Sequence, residues 1–169
     1  MPRPISALIE LPAMRRNLAL ARRHARGRFV WAVVKANAYG HGLVRATRAF
    51  AEADGLALLD LDEAQRARDA GWSRPILLLE GCFEPRDFEV VSALKLTPVV
   101  HNTDQIEILE RARLPAPIDV YLKFNTGMNR LGFDARNADD ARLAYQRVKA
   151  STNVAQLTLM IHFANADRT

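Results

Sequence analysis

Short apolar runs alternate with amphipathic stretches along this chain. Phe29-Val30-Trp31-Ala32-Val33-Val34 is aromatic and β-branched, with Gly27 before it and Gly40 after. Leu56–Leu59 follows Gly55, and Pro75–Leu79 ends just before Gly81. Leu96–Val100, Ile118–Leu122 and Leu157–Ile161 complete the series. Each run is short and mostly apolar at successive positions, which predicts parallel strands buried on both faces. Pro98 weakens the fourth, because proline donates nothing to a sheet ladder.

The intervening segments predict helices. Leu11–His24 sets Met14, Leu18 and Leu20 among arginines, and Leu43–Ala53 offers Val44, Thr47 and Phe50 near helical spacing. Asp62–Ala70 stops at Gly71, a residue suited to end a helix. Pro85–Leu94 and Ala138–Ala150 are two more. Thr103–Arg113 places Ile106 and Leu109 three apart, with Asn102 as its cap and Gln105 three residues further on. Strand, loop, helix, strand is the signature of βαβ units around a parallel sheet. Six such units with no Gly-rich dinucleotide loop favour an α/β fold of the (β/α)8 TIM-type barrel over a doubly wound sheet, although periodicity alone leaves both open. A complete barrel has eight strands and about 250 residues. This chain, of 169 residues, stops just after the sixth run, so an incomplete barrel of about six βα units is expected over 1–169.

Composition narrows the function classes. Hydrophobic residues make up 49% and charged residues 25%, which excludes a disordered chain. There is no run of about 18 apolar residues to cross a membrane, and Arg15, Arg16, Arg22 and Arg23 interrupt anything like a signal peptide. The single cysteine, Cys82, reads as a small buried residue, and a reduced, cytoplasmic setting is expected. The net charge of +5 is spread among acidic residues. Its densest arginine cluster, 15–28, reads as a solvated helix face rather than a nucleic-acid footprint. His24, His41, His101 and His162 show no paired metal-ligand spacing. Neither a Gly-x-Ser-x-Gly elbow nor a phosphate-binding Gly-Lys-Ser/Thr occurs.

In a barrel, chemistry gathers where strands end. Lys35 is expected to end the first strand, followed by Ala36-Asn37-Ala38-Tyr39-Gly40-His41-Gly42. A poorly solvated lysine loses its proton more readily, and the neutral amine can condense with a carbonyl as a Schiff base. Tyr39 and His41 stand among small residues on a loop, where a hydroxyl or a ring reaches a ligand. Lys123 is expected to end the fifth strand, with Arg130 close behind in Thr126-Gly127-Met128-Asn129-Arg130-Leu131-Gly132-Phe133. Arg130 offers a planar charged fork for a carboxylate or another anionic oxygen. Two cations so close imply that one is solvated or that something anionic lies between them. His162 is expected to end the sixth strand.

These three segments resemble those of the alanine racemases. The stretch Ala32–Gly42 is similar to that family's cofactor-attachment signature almost letter for letter, and the second and third segments follow in the family's order. The resemblance implies a pyridoxal 5'-phosphate enzyme, an isomerase interconverting L- and D-alanine for the cell wall or for alanine catabolism. By that resemblance Lys35 carries the cofactor and serves as a catalytic base, and Tyr39 bonds the cofactor phosphate. Arg130 lies near the cofactor's phenolic oxygen and the substrate carboxylate, and His162 lies against the pyridine ring. Lys123 matches a lysine often carbamylated, which would turn one cation of the pair into an anion. Family members run to roughly double this length. The comparison therefore implies the front part of a homodimeric enzyme, without the C-terminal β-domain and its second catalytic base, and a separate 169-residue chain that is inactive and prone to aggregate. Three alternatives stay beside this reading: another amino-acid racemase or decarboxylase on the same barrel, a non-catalytic cofactor-binding barrel, and an inert remnant.

Overall fold

The computed structural model describes residues 3–166. Seven strands occur among them: β1 (Trp31–Val33), β2 (Gly55–Leu58), β3 (Ile76–Leu78), β4 (Thr97–Val100), β5 (Ile118–Asn125), β6 (Phe133–Asp134) and β7 (Val154–Met160). Seven helical segments separate them: α1 (Leu11–Ala25), α2 (Lys35–Tyr39), α3 (Leu43–Ala49), α4 (Leu61–Asp69), α5 (Asp87–Ala93), α6 (Thr103–Arg111) and α7 (Ala138–Ala150). Every strand pair is parallel, and β1 to β5 lie in chain order with β7 beside β5. This is the barrel order. β6, which the sequence pattern did not predict, is a two-residue pairing against the end of β5.

Alternation along the strands sorts the core into two layers. Leu56, Leu58, Ile76, Leu78, Val120 and Leu122 face outward and are buried against the helices, meeting Leu43, Phe88, Val91, Ile106, Leu109 and Val148. Ala57, Leu77 and Val99 face inward, packed with Trp31, Leu79, Tyr121 and Met160. Both faces are covered, so the strands read as continuous apolar runs. Pro98 is accommodated in β4 opposite Leu78.

The inner layer shows that the sheet is curled. Strands β1 and β5 are four steps apart, about 19 Å in a flat sheet at ~4.8 Å per step. Side chains standing off such a sheet would not meet. Here Trp31 Nε1 donates to the Tyr121 hydroxyl at 3.3 Å, with the two rings edge to face. Gly55 makes room for this closure: a Cβ there would lie 2.2 Å from the Trp31 ring. Gly55→Ala is therefore expected to cost about 1–3 kcal/mol, the usual range for overpacking, read as a lower urea midpoint. An unchanged midpoint would show that the Trp31 ring gives way freely.

Helix ends follow local chemistry. Asp60 and Asn102 accept from the backbone of Glu63 and Gln105, capping α4 and α6. Gly71 takes a left-handed φ of +92° just after α4, as expected. α3 ends at Ala49 and α5 begins at Asp87, inside the expected spans, because Phe50–Asp54 and Glu84–Arg86 form turns instead. Asp54 holds the entry to β1 by accepting from the Val30 N–H at 2.8 Å and from Arg22 at 2.9 Å. These donors hold its carboxyl below the usual carboxylate range. No helix among the described residues is long and apolar enough to cross a membrane.

Candidate active site

The inward alternation carries on toward the C-terminal ends of the strands. Lys35, His101, Lys123 and His162 lie two residues beyond the inward-facing Val33, Val99, Tyr121 and Met160. They stand along one rim, at the C-terminal ends of the parallel strands, where barrel folds carry their chemistry. Three placements differ from expectation. β1 stops at Val33, so Lys35 opens α2 rather than ending the strand. β5 runs on to Asn125, so Lys123 lies inside it. β7 stops at Met160, so His162 follows it and is exposed.

α2 is a left-handed turn, not a loop. Ala36, Asn37, Ala38 and Tyr39 have φ of 51–55°. Left-handed helix costs about 1–2 kcal/mol per non-glycine residue, so the surroundings must hold it. Ala38 N donates to Val34 O at 2.8 Å, Gly40 N to Ala36 O at 3.1 Å, and Gly42 N to Asn37 O at 2.9 Å. The Asn37 side chain accepts from Leu43 N at 2.8 Å, tying the turn to α3. The Asn37 N–H donates to the Glu63 carboxylate on α4. The turn leaves Lys35 half-buried and Tyr39 exposed, with the Lys35 Nζ 5.9 Å from the Tyr39 ring centre.

Lys123, rather than Lys35, is the deeply buried lysine, at 5% exposure. Burial lowers its pKa first, and the nearby Arg130 and Lys35 charges lower it further against the opposing pull of Glu80. Arg130 and Lys35 are thus among the charges that act on Lys123. Arg130 itself is exposed, on a loop shaped by Asn125. That side chain accepts from Gly127 N at 3.1 Å and Asn129 N at 2.9 Å.

Sequence reasoning passed over His101, considering it only as a metal ligand. It is buried at the end of β4, with Nε2 3.0 Å from Glu80 O, and its backbone N–H donates to Gln105 at 2.9 Å. Burial lowers its pKa, the Glu80 carbonyl opposes that, and Lys123 reinforces it. Gln105 also donates to the Glu80 and Cys82 carbonyls, fixing the loop after β3. Cys82 is buried there, its thiol pushed up to about 12 by burial, as suits a packing residue. One more step of alternation after Val99 was the signal for His101. Among the described residues, no three His, Cys, Asp or Glu side chains group as a metal site.

An amine, a phenol and a guanidinium on one rim form the donor set for an anionic carbonyl compound. Residues 9–169 match the family model described as alanine racemase, N-terminal domain. An alanine racemase of Erwinia tasmaniensis is 52% identical over 169 residues, covering 100% of this chain and 47% of that protein. The biosynthetic alanine racemase structure from Pseudomonas aeruginosa superposes with a TM-score of 0.87 at 43% identity, over 94% of this chain and 44% of its own. The histidine racemase from Leuconostoc mesenteroides superposes with a TM-score of 0.79 at 30% identity, over 93% of this chain and 42% of its own. The chain thus spans about half the length of the relatives it matches. Matched from residue 9 onward and folded as they are, it belongs to the alanine racemase family through its N-terminal barrel domain.

Proposed function

We propose that this chain is the cofactor-bearing barrel domain of an alanine racemase that uses pyridoxal 5'-phosphate. The observation that carries the reading is the placing of Lys35, with its Nζ 5.9 Å from the Tyr39 ring, and of the buried Lys123 toward the C-terminal ends of parallel strands. The residues present fit the cofactor: Lys35 offers the amine for its carbonyl, and the exposed Tyr39 hydroxyl suits its phosphate. When bound, the group supplies an electron sink for the bond broken at the substrate Cα.

The chain's own residues supply the rest. Lys35 Nζ takes or returns the Cα proton on one face of the substrate. Arg130 pairs with the substrate carboxylate, a geometry its planar fork favours. His162, exposed just beyond β7, would contact the cofactor ring. Racemisation needs a proton donor on each face, because one group alone returns the proton to the side it left. The second group, the partner subunit of a homodimer and a C-terminal β-domain belong to this proposal, as does a cytoplasmic enzyme supplying D-alanine for cell wall or catabolism.

Lys123 has a separate part. Its amine, which burial makes easier to deprotonate, adds through nitrogen to CO2 and releases one proton. The resulting carbamate anion sits between two cations and holds Arg130 in place. Native mass measurement in bicarbonate is expected to find the chain heavier by one CO2, and Lys123→Met unmodified. Equal modification of both, or of neither, would remove this role.

The activity is tested by joining this chain to the remaining portion of the Erwinia tasmaniensis relative and following the optical rotation of L-alanine. Loss of rotation supports the proposal, and unchanged rotation sinks it. The likeness to a histidine racemase favours a second reading, in which the same rim serves a larger amino acid. A chiral panel including histidine separates the two.

A further inference from the structure

Glu63 has no part in the chemistry above, yet it is buried to 6% exposure directly beside the lysine turn. It stands three residues after the cap Asp60, where a glutamate ordinarily reaches back to the cap's own N–H. Here the carboxylate turns away from its helix and accepts from the Asn37 N–H instead. Its second oxygen, Oε2, is buried with no hydrogen-bond partner. Burying a carboxylate with an unpaired oxygen is costly, so such a group persists where it secures something else. What it touches is the middle of four consecutive left-handed residues. The same residue, Asn37, takes a bond from Leu43 N through its side chain, so α3 and α4 grip the turn from two sides.

We infer that Glu63 is a positioning residue: its carboxylate holds the Ala36–Tyr39 turn left-handed, and so aims the Lys35 amine and the Tyr39 hydroxyl at one site. The inference rests on the proposed cofactor role of Lys35 only for its second readout. The first readout is amide hydrogen exchange of the turn in the 169-residue chain, which needs no ligand. Glu63→Leu removes the acceptor and fills the space with an apolar side chain. It is expected to raise exchange at the Asn37 amide at least tenfold while amides of β2 and β3 stay protected. Glu63→Gln keeps a carbonyl oxygen for the same N–H, and its exchange is expected within about threefold of the parent. Ala36→Gly in the Glu63→Leu chain eases the left-handed strain, since glycine takes positive φ freely, and is expected to recover part of the protection.

The second readout is borohydride-fixed labelling of Lys35 by pyridoxal 5'-phosphate, expected to fall tenfold in Glu63→Leu and to return with Ala36→Gly. Unchanged exchange in Glu63→Leu overturns the inference, as does a loss that Ala36→Gly does not mend. If Glu63→Leu fails to fold, Glu63→Gln decides: tenfold faster exchange at Asn37 with the strands protected overturns it, and near-parent exchange upholds it. A parent chain that never labels at Lys35 would remove the cofactor proposal, while the exchange comparison would still decide on Glu63.

Discussion

Lys35→Ala is expected to reduce borohydride-fixed pyridoxal phosphate on the chain to background, while Lys149→Ala leaves it unchanged. Both lysines carry the same functional group, so their settings decide. Lys149 is exposed on α7 with its ammonium 5.4 Å from the Tyr145 ring centre, far along the chain from the rim. Lys35 is half-buried at the opening of the left-handed turn, with its Nζ 5.9 Å from the Tyr39 ring centre and close enough to Lys123 for the two charges to interact. In the protein completed with the rest of a relative, the same substitution removes the proton-transfer group on one face. A loss of about 10²–10⁴-fold in racemisation is the usual scale for such a group, before loss of the cofactor itself. Equal labelling of the two variants, located by peptide mapping, would discard Lys35 as the attachment point.

The 169-residue chain by itself is expected to racemise alanine at less than about a thousandth of the rate of its full-length relatives, consistent with the loss of a whole proton-transfer group. Among the described residues, β1 and β7 each pair on one side only, leaving two sheet edges open to other chains. Leu159 is 57% exposed on the outer side of β7, and Phe163, just beyond it, is 71% exposed. These apolar groups lie where a barrel would continue. Association through them, rather than turnover, is the outcome expected of the purified chain. Turnover assayed together with light scattering decides the matter. A monodisperse chain with turnover near that of the relatives would refute the expectation.

The strands show what was legible in sequence and why. The runs at Leu56–Leu59, Pro75–Leu79 and Ile118–Leu122 became β2, β3 and β5 because strands covered on both faces need apolar residues at nearly every position. Ala138–Ala150 became α7 residue for residue, with Asn137 capping it. β6 was not legible, since two residues carry no period. The left-handed turn was not legible either. Ala36 and Ala38 have no intrinsic reason to leave ordinary helical or extended backbone, and contacts from residues distant in the chain, Glu63 and Arg66, join the local bonds that hold the turn.

The candidate site divides along the same line. The residues themselves, Lys35, Tyr39, Lys123, Arg130 and His162, follow from the strand pattern and the family segments, because chemistry in a parallel barrel gathers at strand ends. Their environments depend on distance in space. Which lysine is buried, how Arg130 and Lys35 act on Lys123, and why His101 and Glu63 matter all come from elements brought together by the curl of the sheet. By itself the sequence determined the βα order, the strand and helix composition and the family. Only the tertiary structure decided the burial and charge of each group, because desolvation and Coulomb interactions act between residues that the chain keeps far apart in number.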